Sequence, residues 1–242
     1  MFVQAKSSNF DDKHNICCTL DKTLPKMKPF EDVLEFIEKN WIRKALTDTH
    51  KCYRAHVESF WNAARYDEDE KTIYSAVKLK DDDGKDIDVE VKFKVEDVRR
   101  VLEFKDQDDD PIQVSERLCK VLWFRMRYAG TMNDPSFNNS NLSMSYKFLV
   151  HSVIRAWCHR KGGYDVSIGF IMCILTCLLL NRPYNISQVI FNHMVDNVKG
   201  EKFLQYPRFV QMLLDDQIKD LPKEAEDELV LEHMDNETLK RL

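Results

Sequence analysis

The sequence IGFIMCILTCLLL, residues 168–180, is the stretch that decides the fold class. It is apolar at almost every position and is flanked by Asp165 and Arg182. A helix that crosses a membrane needs about 20 apolar residues, which is more than this stretch provides. A helix that is apolar on all sides is typical of the centre of a protein core. We therefore expect this stretch to form the central buried helix of a mainly α-helical protein without a membrane span.

Helical patterns occur on both sides of the expected core helix. Ser143 is suited to cap a helix over about residues 144–161, whose apolar side chains recur at helical spacing. Asn185, with Gln188 three residues later, resembles a capping box and opens a further helix. Pro207 is suited to the first turn of another helix. These patterns predict several amphipathic helices around the core helix.

Residues 72–93 carry a different pattern, in which apolar and polar residues alternate on both sides of Asp83-Gly84. Such alternation is typical of strands, and Asp-Gly is a preferred turn between two antiparallel strands. An isolated hairpin is marginally stable, so one face must pack on helices. The chain has only 6 Gly and 7 Pro, which argues against an all-β fold with many tight turns. The predicted fold is mainly α, a helical domain with one β-hairpin packed on it.

The predicted domain organisation has three parts. Residues 1–28 show no clear period and carry many Lys and Asp residues, which is typical of a mobile arm. Pro29 suits the first turn of a helix and begins a single domain, residues 29–218. Residues 219–242 are expected to form an acidic tail with one amphipathic helix. From residue 215 onward, ten acids face four bases, so the rest of the chain is close to neutral.

Cysteine usage and the N-terminal sequence bear on the cellular compartment. The chain has seven cysteines, an odd number, and residues 1–20 contain no apolar signal-peptide segment. Cys173 and Cys177 lie inside the apolar core stretch, where buried thiols are common. We expect an intracellular protein, cytoplasmic or nuclear, whose thiols are reduced.

Motifs that would carry catalysis or bind a cofactor are missing from the sequence. It contains no G-x-x-x-x-G-K-[ST] loop, no G-x-G-x-x-G and no G-x-S-x-G. His151, Cys158 and His159 with Cys173 and Cys177 could meet a zinc ion, but cysteines in apolar stripes are more often core thiols. The acids lie mostly in solvated runs. We therefore expect no enzymatic activity, no cofactor, no metal site and no small-molecule substrate.

Two groups of basic residues are candidate binding surfaces. The first, the 147–161 stripe, follows one side of the helix after Ser143, and no acid occurs between Ser143 and Gly163. The second, the 117–127 cluster, lies on the preceding helix, over about residues 114–127. The stripe comprises Lys147, His151, Arg155, His159, Arg160 and Lys161, and the cluster comprises Arg117, Lys120, Arg125 and Arg127. Basic residues without interleaved acids are typical of a phosphate-binding surface, although a solvated helix face has the same pattern.

Three tryptophans, Trp61, Trp123 and Trp157, allow two interpretations. Exposed aromatic rings are platforms on which unpaired bases stack. Buried tryptophans, by contrast, fill cores, and each of the three lies near an apolar stripe. The core interpretation is favoured.

Short sequence blocks carry a family resemblance over about residues 52–218. The blocks are Phe60-Trp61 with Ala63, Gly84-Lys85, residues 98–102, 147–151, 180–187 and 190–191, and KFLQYPRFV at residues 202–210, the most specific of them. Together they resemble plant retrotransposon-associated, gag-like proteins and the putative plant transposon protein domain. The resemblance implies a retroelement origin and brings no catalytic residues. The Cys-Cys-His-Cys zinc knuckle of many gag polyproteins is absent from this sequence.

Two functional hypotheses follow from the basic residues and the resemblance. In the first, the protein is a gag-like binding and assembly module that self-associates or contacts RNA or single-stranded DNA through its basic helix surface. In the second, it is a protein–protein interaction or regulatory domain without nucleic-acid binding. Salt-sensitive binding of RNA would separate the two hypotheses.

Overall fold

A computed structural model describes residues 13–18, 23, 25–80, 83–131, 137–157, 166–167, 169–200 and 203–234. Within these residues the α-helices are α1 (Glu31–Lys39), α2 (Arg43–Thr47), α3 (Arg54–Ala63), α4 (Val95–Val101), α5 (Glu116–Arg125), α6 (Met144–Trp157), α7 (Gly169–Leu179), α8 (Ile186–Lys199) and α9 (Pro207–Gln217). A 3₁₀ helix, Pro25–Phe30, leads into α1, so that α1 begins two residues after Pro29. No helix in this part of the chain combines the length and the apolar character that crossing a membrane requires.

The described strands are short except in one sheet. They are β1 (Cys17–Cys18), β2 (Cys52–Tyr53), β3 (Arg65–Asp67), β4 (Thr72–Lys80), β5 (Asp86–Phe93), β6 (Phe137–Asn138), β7 (Val166–Ser167), β8 (Glu228–Leu229) and β9 (His233–Met234). Strands β3, β4 and β5 form an antiparallel sheet in that order. The other strands form three pairs, of which β2–β8 and β6–β7 are antiparallel and β1–β9 is parallel.

The helical majority predicted from the sequence is confirmed, with a small β component beside it. The predicted hairpin forms as β4 and β5, whose register pairs Ile73 with Phe93 and Val77 with Val89. Gly84 lies in the turn with a φ of 74°, a left-handed conformation that glycine adopts without steric cost. The expectation of a lone hairpin is not exact, because β3 adds a third strand. Strand β3 has only three residues, of which two are charged. Its sequence therefore shows no alternation of apolar and polar residues from which a strand could be predicted.

Helix α7 forms the centre of the core, as its apolar sequence predicts. Its residues 171–178 are all buried, and it packs against both α5 and α6. The neighbouring helix α8 is capped by Asn185, whose Oδ1 accepts a hydrogen bond from the Gln188 backbone N–H at 2.9 Å. The Gln188 side chain donates instead to Asn192, so only half of the expected capping box forms.

The N-terminal segment is part of the core where the structure describes it. Residues 14–18 are buried, and β1 within them pairs with β9. Asn15 donates from Nδ2 to the Ala156 carbonyl oxygen at 2.9 Å and accepts at Oδ1 from the Phe209 N–H at 3.1 Å. The prediction of a mobile arm over residues 1–28 is therefore wrong for this segment. Its order comes from polar contacts to distant residues, which leave no periodicity in the local sequence.

The segment after α9 is also fixed to the domain. Leu221, Leu229 and Leu231 are buried, and β8 pairs with β2. The amphipathic helix expected in the acidic tail does not form within residues 219–234, which contain one 3₁₀ turn and two short strands. Each strand binds a partner far away in sequence, and that pairing overrides the local helical pattern. The rest of the tail lies outside the described residues.

Between α3 and α9, a buried histidine makes the fold sensitive to acid. Nδ1 of His56 lies 3.2 Å from Oε1 of Gln211. Burial lowers the pKa of His56, and the hydrogen bond to Gln211 opposes that shift only in part. The folded protein therefore binds a proton at His56 less readily than the unfolded chain does. The stability that this site contributes is present above about pH 6.5 and is lost as the pH falls.

We expect the free energy of unfolding to decrease between about pH 7 and pH 5, and the His56→Gln variant to show a smaller decrease. Urea denaturation at several pH values measures both slopes. Glutamine keeps a polar group beside Gln211 but does not titrate. Equal pH slopes for the variant and the original protein would contradict the assignment.

Candidate nucleic-acid interface

Helix α5, which carries most of the 117–127 cluster, is fixed by a cap at its start and by packing of its inner side. Ser115 caps the helix, because its Oγ accepts a hydrogen bond from the Leu118 N–H at 3.4 Å. The inner side of α5 buries Cys119, Leu122 and Trp123 against the core. At 100° per residue these positions share one side of the helix and orient the opposite side outward.

The outer face of α5 combines positive charge with apolar surface. At 100° per residue, Lys120, Phe124, Arg117, Val121 and Arg125 follow one another around the helix axis. Lys120 is half-buried and the other four are exposed. We call these five residues the α5 outer face.

The aromatic ring on the α5 outer face is open to solvent. Phe124 is 76% exposed and Val121 is 43% exposed. They line an open groove of about 540 Å³ together with Glu116, Arg117 and Lys120. A large exposed aromatic side chain flanked by cations is a common feature of single-strand binding surfaces.

The charge around this face is positive. Glu116 and Lys120 form an ion pair of 2.7 Å, and exposed pairs of this kind contribute about 0–1 kcal/mol. Arg117, Arg125 and Arg127 form no ion pair with any residue that the structure describes. Between Arg117 and Gly163 the sequence holds eight Lys and Arg residues and one acid, although the whole chain has a formal charge of −5. Positive charge is thus concentrated in the α5–α6 part of an acidic protein.

The described part of the 147–161 stripe is less open than the α5 outer face. Lys147, His151 and Arg155 lie along one side of α6 and are all half-buried. The Arg155 side chain donates from Nε to Nε2 of His151 at 3.3 Å and from Nη1 to the Lys13 carbonyl oxygen at 3.4 Å. Arg155 therefore contributes to holding the N-terminal segment. The remaining predicted residues, His159, Arg160 and Lys161, lie outside the described residues.

The loop after α5 is tied to the turn before α6. The Ala129 N–H donates to the Asn141 carbonyl oxygen at 3.0 Å. The Tyr128 hydroxyl accepts from the Asn138 N–H at 3.0 Å and from Asn141 Nδ2 at 3.2 Å. These bonds fix the end of the 117–127 cluster relative to the start of α6.

The three tryptophans belong to the core, as the sequence analysis favours. Trp61, Trp123 and Trp157 are each at most 1% exposed. Among the described residues the exposed aromatic side chain is that of Phe124, which is not among the residues predicted from the sequence. Its position seven residues after Arg117, on the side opposite Leu122, is the signal that would have identified it.

Arg127, two residues after the end of α5, has a strained backbone conformation. Its φ is 55°, in the left-handed region, and its N–H donates to the Phe124 carbonyl oxygen at 3.0 Å. This conformation costs a residue other than glycine about 1–2 kcal/mol. We expect Arg127→Gly to raise the free energy of unfolding by about 1 kcal/mol in urea denaturation. Arg127→Ala, which keeps the strain, is the control, and a glycine variant no more stable than the alanine variant would contradict this expectation.

A second polar cluster joins α9 to the segment before β2. His50 Nε2 and Lys223 Nζ lie 2.7 Å and 2.9 Å from Oδ2 of Asp215. Burial would raise the pKa of Asp215, but the hydrogen bonds from His50 and Lys223 lower it below its usual value. Among the described residues no hydroxyl or thiol donates to the His50 ring, so the pair lacks the nucleophile of a catalytic triad.

Among all the residues that the structure describes, no three His, Cys, Asp or Glu side chains are grouped so that they could hold a metal ion. Comparisons of the whole chain with protein-family models, curated proteins and solved structures found no match.

Proposed function

We propose that this protein binds single-stranded nucleic acid, RNA or single-stranded DNA, through the α5 outer face. The observation that carries the proposal is the exposed Phe124 between Arg117, Lys120 and Arg125. Cations bind the phosphates, and the ring stacks on an unpaired base. A gag-like origin, which the sequence resemblance implies, is compatible with such a role.

The composition of the face favours a single strand over a duplex. Base stacking on a side chain requires an unpaired base, and every base offers a stacking surface. The arginines attract phosphates whatever the base sequence, and Glu116, the acid that lines the groove, is paired with Lys120. We therefore expect binding with little sequence preference.

Stacking is tested at Phe124. A fluorescein-labelled oligouridylate of about 15 nucleotides is titrated with protein at about 50 mM salt, and binding is measured by fluorescence anisotropy. Phe124→Ala should remove about 1–3 kcal/mol of binding free energy, which is about a five-fold loss of affinity or more. Because Phe124 is largely exposed, the same variant should unfold at nearly the same urea concentration as the original protein.

Two further variants separate stacking from general apolar contact. Phe124→Tyr keeps a ring and should keep the affinity, whereas Phe124→Leu keeps apolar area and should lose affinity as Phe124→Ala does. If Leu and Phe bind the oligonucleotide equally well, the ring does not stack. If no variant binds and the original protein does not bind, the proposal fails.

An apolar and cationic helix face also fits a protein–protein contact. That alternative predicts that light scattering or a pull-down detects a complex that depends on Phe124 while the oligonucleotide is not bound. Self-association through this face would be lost in Phe124→Ala and would be insensitive to added oligonucleotide. Either result would replace the nucleic-acid proposal.

A further inference from the structure

A cavity on the inner side of α5 contains two cysteines and is separate from the α5 outer face. It has a volume of about 660 Å³ and lies between α5, α7 and α8. Its walls include the apolar side chains of Val114, Phe170 and Val189. Cys119 from α5 and Cys173 from α7 both line it, so both thiols face one solvent-connected space. Polar side chains also line the cavity, namely those of Gln113, Glu116, Asn192, His193 and Asp196.

The two thiols interact directly. Cys173 donates a hydrogen bond to the Cys119 sulfur, and this bond lowers the pKa of Cys119 to about 6. The same hydrogen bond, together with burial, raises the pKa of Cys173. The directions of the two shifts make Cys119 the more acidic thiol of the pair. A low-pKa thiolate beside a second thiol is the arrangement of a redox-active cysteine pair.

Two buried hydroxyls lie near the pair. A hydrogen bond from the Thr176 side chain contributes to the lowered pKa of Cys119. Burial, together with the nearby thiols of Cys173, Cys177 and Cys119, raises the pKa of Tyr184. The Tyr184 hydroxyl has no hydrogen-bond partner among the described residues, which is unusual for a buried hydroxyl and marks a place where another polar atom fits.

We propose that Cys119 and Cys173 form a peroxide-reactive dithiol site, in which Cys119 is the attacking residue and Cys173 the resolving residue. The Cys119 thiolate attacks one oxygen of a hydroperoxide, and the O–O bond breaks. Cys119 becomes a sulfenic acid, and the leaving alkoxide or hydroxide takes up the proton that Cys119 lost on ionising. Cys173 then attacks the sulfenic sulfur, which forms the disulfide and releases water. Overall, two thiols are oxidised and one hydroperoxide is reduced to an alcohol and water.

The other described cysteines differ from this pair. Burial raises the pKa of Cys18 and Cys52 to about 12, and neither lines the cavity. Burial also raises the pKa of Cys177 to about 11, and its side chain is likewise outside the cavity wall. Because the thiolate is the reactive form, these cysteines should react much more slowly than Cys119. Cys177 lies one helical turn after Cys173 on α7 and is a matched control.

The test uses the full-length protein and hydrogen peroxide near neutral pH. The remaining thiols are alkylated, and the digested protein is mapped by mass spectrometry without reduction. We expect a Cys119–Cys173 cross-linked peptide, two hydrogen atoms lighter than the sum of its parts, which disappears on treatment with dithiothreitol. The unmodified protein provides this result by itself, so it does not depend on whether a variant folds.

Variants assign the order of the steps. Cys173→Ser should accumulate the sulfenic acid at Cys119, which dimedone traps. Cys119→Ser should give no bridge. Cys177→Ser should leave the Cys119–Cys173 bridge unchanged. The proposal is overturned if no Cys119–Cys173 bridge forms, or if Cys119 instead bridges Cys177 or another cysteine. It is also overturned if all cysteines are oxidised at similar rates. None of these outcomes depends on nucleic-acid binding.

Discussion

The Arg208→Ala variant should lose about 3–5 kcal/mol of its free energy of unfolding, measured by urea denaturation. Arg208 is 1% exposed and lies in the first turn of α9. Its guanidinium donates to the carbonyl oxygens of Asn15 at 3.1 Å and of Asp48 at 2.9 Å. It also donates to the carbonyl oxygens of Ile16 and Ala45. Alanine would leave these buried acceptors unpaired, at about 1–3 kcal/mol each where the structure cannot relax.

Two comparisons isolate this effect. Arg182→Ala removes an exposed arginine after α7 and should change the free energy of unfolding by no more than about 0.5 kcal/mol. Arg208→Lys keeps the charge but has no planar fork to reach four carbonyls, so it should be nearly as destabilising as Arg208→Ala. A lysine variant as stable as the original protein would show that charge, and not the hydrogen-bond geometry, matters at this position.

The second large effect is expected for Trp157→Ala, at about 3–5 kcal/mol of lost unfolding free energy. Trp157 is fully buried at the end of α6. Its backbone carbonyl oxygen accepts a hydrogen bond from the Tyr206 hydroxyl at 2.7 Å. Alanine removes the indole from the core and leaves a cavity, while the backbone acceptor remains. The hydrogen bond from Tyr206 can form in the variant and in the original protein. The difference in unfolding free energy between the two therefore reports the loss of side-chain packing.

Trp157→Phe is the matched control. The indole Nε1 of Trp157 has no hydrogen-bond partner among the described residues, so phenylalanine removes a buried polar group that is not satisfied there. We expect Trp157→Phe to cost clearly less than Trp157→Ala, because most of the ring volume is kept. If Trp157→Ala instead kept full stability and lost nucleic-acid binding, Trp157 would be a stacking platform and the assignment to the core would be wrong.

Local sequence signals predicted the elements whose patterns are strong and continuous. The apolar run of α7, the hairpin around Asp83-Gly84 and the cap at Asn185 all form as their residues indicate. Long-range contacts explain the errors. Residues 14–18 have no clear period, yet Arg208 and the pairing of β1 with β9 hold them against distant parts of the chain. The segment after α9 has a helical pattern, but β8 pairs with the distant β2 instead. A single sequence does not encode such partners in any periodic pattern.

The candidate site was predicted in part. The basic residues of α5 follow from charge alone, and the structure places Arg117, Lys120 and Arg125 on one face. The 147–161 stripe has the more regular spacing, but Arg155 is half-buried against the N-terminal segment through a contact between residues far apart in sequence. The thiol pair was missed because Cys119 and Cys173 lie on different helices, and only their packing brings them together.

The salt dependence of oligouridylate binding tests the central claim most directly. The logarithm of the binding constant should fall linearly with the logarithm of the salt concentration, by about 0.7 for each phosphate contact. Replacing Arg117 and Arg125 by alanine should therefore reduce the magnitude of the slope by about 1.4. As a control, Lys71→Ala with Lys219→Ala removes two exposed cations outside α5 and should leave the slope unchanged. Equal slopes for the arginine variant and the original protein, or no binding at low salt, would contradict the proposed interface.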